Sequence, residues 1–249
     1  MLTLLRKLWL PVAYYLSWVW FGLGGLLLNI VFVPLLLLPN REHYGPRVRR
    51  ITRWMFGFWL KWMHASGVVR VTWNGFDRPL PVGVVYVANH PCLVDAPFLF
   101  ARLPDTVCIF KPALLRNPFI GPTALLCGYV SAGDNGLDLI RNSVERLAAG
   151  QSLLIFPEGT RTAVGANLNP FKPGFALIAQ RAGCPIQLIR VRSSPLLTRK
   201  NLPWWRVPPL PGWVEFTLDE LIPAEEITDP ADFSDRIAAH FKGQLSVVR

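Results

Sequence analysis

Hydrophobic positions along the chain change their period after the first quarter. Residues 8–40 contain no charged side chain, a run longer than the roughly 20 residues a helix needs to cross a bilayer. Gly22, Gly24 and Gly25 break its middle, so the pattern predicts either a single tilted span or a re-entrant, interfacial helical hairpin. Residues 51–65 set Trp54, Met55, Phe58, Trp59, Trp62 and Met63 among Arg53, Lys61 and His64 at spacings of three and four, as in an amphipathic helix. Such a helix lies at the headgroup level of a membrane or packs into a soluble core, and the adjoining apolar run favours the first. After Gly67 the period falls to two. Strands are predicted at 68–73, 82–88, 107–110, 152–156, 185–191 and 214–218, and helices at 96–101, 137–149 and 175–182. Asn74 and Gly75 read as a turn, and Gly150 as a helix stop. The alternation implies an α/β fold: a mixed, largely parallel sheet flanked by helices, preceded by an N-terminal membrane-associated helical segment. Residues 1–66 are then the anchor and residues 67–249 the α/β domain. The stretch 201–212 is rich in proline and tryptophan, so Trp204, Trp205 and Arg206 form a second interface-seeking loop or simply pack.

Composition narrows the partners. A formal charge of +10 calls for a negatively charged partner, whether nucleic acid, anionic lipid or phosphorylated substrate. Ten tryptophans and 51% hydrophobic residues are unusual in a nucleic-acid module and expected where rings anchor at a bilayer. No nucleic-acid motif is recognisable. Membrane lipids are therefore the expected partner. Arg6 and Lys7 precede the apolar run, whereas Arg41, Arg47, Arg49, Arg50 and Arg53 follow it. The positive-inside rule thus places the part that follows the run on the cytoplasmic side of an inner membrane. No small-residue cleavage site follows the run, so a removed signal peptide is not expected. Cys92, Cys108, Cys127 and Cys184 are scattered without a C-x-x-C pair, which indicates neither a zinc site nor a disulfide framework.

Two clusters carry candidate chemistry. Val84 to Val87 read as a buried strand leading to Asn89 and His90, and Pro91 keeps His90 out of helical geometry. Asp95 falls where a helix starts, with Pro97 tolerable in its first turn. The bend can bring the carboxylate to the imidazole, making a general base and its orienter. Taken alone, H-x-x-x-x-D is a weak pattern. There is no G-x-S-x-G elbow, and Cys92 reads as a small buried hydrophobe before it reads as a nucleophile. Direct transfer without a covalent intermediate follows. The second cluster is Phe156-Pro157-Glu158-Gly159-Thr160-Arg161-Thr162. A strand, a turn and an arginine can aim backbone N–H groups and a guanidinium at an anion; in isolation, a charged surface turn fits equally well.

Together, in this order, the clusters closely resemble the glycerolipid (lysophosphatidate-type) O-acyltransferase family. Asn89-His90 through Asp95 is similar to its first motif, and Phe156 to Arg161 to its third, with Thr162 where serine is usual. Lys111, Asn117-Pro118-Phe119 with Gly121, and Phe171-Lys172-Pro173-Gly174 resemble further marks, so the likeness runs over residues 67–191. Two departures stand out. The segment 128–135, ending in Asp134 and Asn135, lacks the arginine that helps hold the acceptor phosphate in the family, and only Pro185 represents the two prolines of the fourth motif. Arg141 or Arg190 could supply the missing charge.

The resemblance implies an acyl thioester donor, acyl-CoA or acyl carrier protein, with no cofactor and no metal. It implies as acceptor the hydroxyl of a lysophospholipid such as 1-acyl-glycerol-3-phosphate; the departures admit an amino-acid lipid or another hydroxylated lipid. His90 would take the hydroxyl proton and return it to the thiolate, with Asp95 fixing its tautomer. Backbone N–H groups near Gly159 would stabilise the oxyanion, Glu158 and Arg161 would position the head group, and Thr160, Lys111 and Lys172 would complete the substrate site. A catalytically idle, membrane-bound lipid-binding protein of the same fold is the reading from another class, and an intact His90 and Asp95 argue against it.

Overall fold

The computed structural model describes residues 2–133, 135–194, 197–198 and 200–246. The chain opens with α1 (Leu2–Phe32), a helix of 31 residues, about 46 Å long at 1.5 Å per residue. The stretch Leu5–Leu37 is long and apolar enough to cross a membrane. The expected break at Gly22, Gly24 and Gly25 is absent, because α1 runs through all three. At Gly25 a Cβ would stand 2.6 Å from the Phe119 carbonyl oxygen, so the glycine serves close packing rather than a bend. The reversal comes later, in 3-10 turns at Val33–Leu37 and Arg41–Tyr44, after which α2 (Gly45–Ala65) returns along α1. Trp59 Nε1 donates to Ser17 O at 2.8 Å and Trp62 Nε1 to Ser17 Oγ at 3.2 Å, while Gly24 faces Met55. The pair is therefore an antiparallel helical hairpin.

The rest of the chain alternates: β1 (Val69–Asn74), β2 (Val85–Ala88), α3 (Asp95–Arg102), β3 (Thr106–Phe110), α4 (Gly121–Leu126), β4 (Val130–Ser131), α5 (Gly136–Ala148), β5 (Ser152–Ile155), α6 (Gly174–Ala182), β6 (Ile186–Ser193), β7 (Gly212–Ile222) and α7 (Pro230–Ser246). β2 is shorter than the apolar run 82–88 because Gly83 has φ +69 and Val82 is exposed. The strands form one seven-stranded sheet in the order β1-β7-β6-β2-β5-β3-β4. β6, β2, β5, β3 and β4 are mutually parallel; β7 is antiparallel to β6 and parallel to β1. β2 and β5 are buried along their whole length, as expected of strands covered on both faces.

Period-two alternation sorts those strand residues into two cores. Tyr86, Ala88, Cys108, Leu154 and Ile189 face Phe98 and Leu99 of α3, Trp59 and Met63 of α2, and Tyr14 of α1. Val85, Val87, Leu153, Ile155 and Leu188 face Phe175 of α6, Leu147 of α5, and Phe233, Ile237 and Phe241 of α7. The N-terminal hairpin thus shares a core with the sheet. Its outer side is apolar and uncovered: Leu8, Val12, Val19, Leu23, Leu27 and Ile30 of α1 and Trp54 and Phe58 of α2 are all exposed.

This wiring sets the position of the site. From β2 the chain crosses one face through α3, and from the adjacent β5 it crosses the other through α6. The loops at the carboxyl ends of β2 and β5 diverge, leaving the crevice where open α/β sheets place ligands.

Candidate active site

His90 follows the carboxyl end of β2 at that crevice, and Asp95 is the first residue of α3. Pro91 and the short turn between them fold the carboxylate back, so that His90 Nδ1 and Asp95 Oδ2 are 3.1 Å apart. The Asp95 side chain is fully buried and the imidazole is nearly so. Asp95 also accepts from the Cys92 N–H at 2.8 Å and from Cys92 Sγ at 2.6 Å. A buried carboxylate needs such donors to stay ionised. With Asp95 accepting, the Nδ1 proton is fixed and Nε2 is left as the base. The ring stacks on Phe156, centroids 4.2 Å apart.

The loop after β5 is tied directly to this turn. Glu158 is buried, and its carboxylate accepts from the His90 N–H at 2.7 Å, from Thr162 Oγ1 at 2.9 Å and from the Asn169 N–H at 2.9 Å. The Thr162 N–H in turn donates to His90 O at 2.7 Å. Glu158 therefore departs from the expected head-group contact: both its oxygens face inward and join the two loops. Burial pushes its carboxyl pKa up, against the pull of those hydrogen bonds. Gly159 stands exposed on the turn at φ +65, in the left-handed region that favours glycine. Its N–H donates to Phe156 O at 3.0 Å, so that group is not the oxyanion donor expected nearby.

Arg161 and Lys172 close the crevice. Arg161 Nη1 donates to Thr198 O at 2.7 Å, and burial draws its guanidinium pKa down from the ordinary value. Lys172 Nζ lies 3.4 Å from where a Gly159 Cβ would be, and the Lys172 N–H donates to Pro157 O at 2.9 Å. Thr160 is half-buried on the same turn. Lys111 is exposed just past β3, whose neighbour is β5, and its side chain makes no hydrogen bond or ion pair with a described residue. His90, Asp95, Glu158, Gly159, Thr160, Arg161 and Lys172 are thus gathered at one crevice, and Lys111 stands at the same carboxyl edge. Asp134, where the expected arginine is missing, lies outside the described residues. Arg141 is exposed on α5 and paired with Asp138, and Arg190 bonds Gln244.

Several supports were not anticipated from sequence. Asn169 Nδ2 donates to Arg161 O, and its Oδ1 accepts from the Ala163 N–H. Thr198 accepts from the Leu93 N–H as well as from Arg161. Asn89 exchanges both its amide bonds with the backbone of Val191 in the neighbouring β6, at 2.8 and 2.7 Å, which accounts for an asparagine before the histidine. The 201–212 stretch both packs and shows rings: Trp204 packs against Trp18 with the rings tilted and accepts at its carbonyl from the Tyr14 hydroxyl, while Trp205 is exposed. Among the described residues, no group of three or more His, Cys, Asp or Glu side chains is placed to hold a metal ion.

The acyltransferase family model matches residues 75–192, a stretch that holds both the His90–Asp95 pair and the turn bearing Arg161. Among similar proteins are the 1-acyl-sn-glycerol-3-phosphate acyltransferases of Cocos nucifera, 33% identical over 53% of this chain and 44% of theirs, and of Helicobacter pylori, 32% identical over 47% and 52%. The lyso-ornithine lipid O-acyltransferase of Pseudomonas aeruginosa is 32% identical over 62% of this chain and 57% of its own. The chain spans about half the length of these curated relatives. The crystal structure of PlsC, the 1-acyl-sn-glycerophosphate acyltransferase of Thermotoga maritima, superimposes with a TM-score of 0.71 at 20% identity, over 97% of this chain and 95% of that one. That likeness shows a common fold.

Proposed function

We propose that this chain is a membrane-associated O-acyltransferase moving a fatty acyl group from an acyl thioester to the hydroxyl of 1-acyl-glycerol-3-phosphate. The observation that carries this reading is the His90–Asp95 pair at the mouth of the β2/β5 crevice, braced through Glu158 to the turn bearing Arg161. His90 Nε2 takes the proton of the acceptor hydroxyl as its oxygen bonds to the thioester carbonyl carbon. The tetrahedral oxyanion collapses, the C–S bond breaks, and the thiolate takes that proton back from His90. Asp95 holds the Nδ1 tautomer and stabilises the imidazolium between the two transfers. Arg161 and Lys172 supply positive charge for the acceptor phosphate, and Lys111 adds to the field at the edge. The donor is acyl-CoA or acyl carrier protein, both reaching the crevice from the cytoplasm. The exposed apolar side of the α1–α2 hairpin is the seat on the membrane, where the lipid acceptor resides.

A second acceptor, a lyso-ornithine lipid, is favoured by one observation: the described part of the segment between α4 and α5 contains no arginine, and the Pseudomonas aeruginosa relative bears that name. The test is turnover of the purified full chain with acyl-CoA or acyl carrier protein and each acceptor in turn, read by mass spectrometry. Phosphatidate formation about tenfold faster than acylation of the ornithine lipid is expected, with a fall of about 10²–10⁴ in His90→Ala. Product from the ornithine lipid alone would establish the second reading. No product from either, or full turnover in His90→Ala, would overturn the proposed reaction.

A further inference from the structure

A second polar cavity lies at the opposite edge of the sheet. It has a volume of about 320 Å³ and is lined by Arg49, Arg50 and Arg53 of α2 with Phe100, Asp105, Thr106 and Tyr129. Thr106 opens β3, so the cavity sits at the amino ends of the strands, whereas His90 follows a carboxyl end. One strand of this sheet, about 15 Å, separates the two levels. The volume falls at the lower end of small-molecule sites, about 300–1,000 Å³.

Its charge is not balanced. Arg49 is held by Asp105, with Nε–Oδ1 2.6 Å and Nη2–Oδ2 3.2 Å, and by Cys127 O at 2.9 Å. Arg53 is fixed on the carboxyl end of α3, its Nη2 donating to Arg102 O at 2.9 Å. Neither contact brings Arg53 a counter-charge. Arg50 is exposed and its side chain has no hydrogen bond or ion pair among the described residues. Three guanidinium groups therefore face one carboxylate, and the surplus matches the charge of a phosphate, which arginine binds in a bidentate manner. The helix also dictates the neighbourhood. At 3.6 residues per turn, Arg50 and Arg53 fall between the buried side of α2 and its exposed apolar side of Ile51, Trp54 and Phe58. An anion seated there has an uncovered apolar surface beside it.

We infer that the Arg49–Arg50–Arg53 cavity binds the phosphate of an anionic membrane lipid whose chains lie along the exposed side of α2. The site is separate from the crevice of His90, and its ligand is not turned over. It would fix how the hairpin sits in the bilayer, by pairing one headgroup with the edge of the apolar side.

Binding to the full chain in a neutral detergent tests this, with dihexanoyl phosphatidylglycerol, dihexanoyl phosphatidylcholine and inorganic phosphate as separate probes. Phosphatidylglycerol should bind most tightly, and Arg50→Ala/Arg53→Ala should weaken it about tenfold or more. Arg41→Ala/Arg47→Ala, outside the cavity, and Arg161→Ala, in the crevice, should both leave it within about twofold, as expected for charges that do not touch the ligand. Should the double variant fail to fold, Arg50→Ala alone gives the same comparison. Equal binding of phosphatidylcholine, or equal loss in Arg41→Ala/Arg47→Ala, would reduce the effect to unspecific adsorption and overturn the site. Inorganic phosphate binding as tightly as the lipid would make it a free-anion site, and loss in Arg161→Ala would move the ligand to the crevice.

Discussion

Asp95 is tightly constrained in the candidate site, since it is fully buried and accepts from His90, the Cys92 N–H and Cys92 Sγ. The thiol is the unusual donor. Burial, and next to it the charge of Asp95, push the Cys92 pKa well up, so the sulfur stays protonated and donates rather than attacks. The stability this thiol contributes is complete below its ordinary range near pH 8.5 and is lost as pH rises through the higher folded value. In the native protein at pH 8, a thiol-alkylating reagent should leave Cys92 untouched and label it only after denaturation, as followed by peptide mass spectrometry; labelling at the denatured rate would refute the burial argument. Cys92→Ala should cost about 1–3 kcal/mol in denaturant unfolding by leaving Asp95 short of a donor, and Cys92→Ser less. At this scale the legible part was the part that is local. His90 and Asp95 meet within one turn, and the turn from Pro157 to Arg161 is continuous in sequence. Asn169 and Thr198 escaped notice because they meet the site across long stretches of sequence, and the inward aim of Glu158 follows from a buried donor set that no spacing reveals.

Glycine placement decides how α1 packs. A glycine in a helix interior costs about 0.8–1.0 kcal/mol relative to alanine, which is why three of them read as a break. Two of the three differ sharply in surroundings: Gly22 has nothing within 4 Å of a built Cβ, whereas that of Gly25 would press on Phe119 O at 2.6 Å. Gly22→Ala should therefore raise stability by about 0.5–1 kcal/mol, and Gly25→Ala should lower it by about 1–3 kcal/mol as α1 is forced off the segment before α4. Thermal unfolding of the two variants in the same detergent reads the opposite signs; equal shifts would refute the packing role. Periodicity revealed the central strands because they are covered on both faces and apolar throughout. It missed β4, whose two residues carry no period, and α7, where Phe233, Ile237 and Phe241 face the core from a helix otherwise rich in charge.

The molecule as a whole has a polar edge that holds the His90–Asp95 pair and an exposed apolar flank on the α1–α2 hairpin. Glutamates at Val12, Val19 and Leu23, all exposed on α1, should shift the protein from membrane to soluble fractions, because each charge costs about 2.5–3.5 kcal/mol at the bilayer centre. Circular dichroism should remain unchanged, since none of the three reaches the shared core. Retention on membranes with the fold intact would assign anchoring elsewhere. The sheet order carries a last consequence. The His90–Asp95 pair and its Glu158 brace follow inner strands, each hydrogen-bonded on both sides, while β4 is a two-residue edge strand that among the described residues pairs only with β3. On the proposed function, substitutions or length changes in the rim beside β4 are expected to alter which alcohol is admitted while leaving the His90–Asp95 pair in place. On the proposed function, catalytic competence and substrate choice are separable, and exchange of the rim alone is the economical route to a new acceptor.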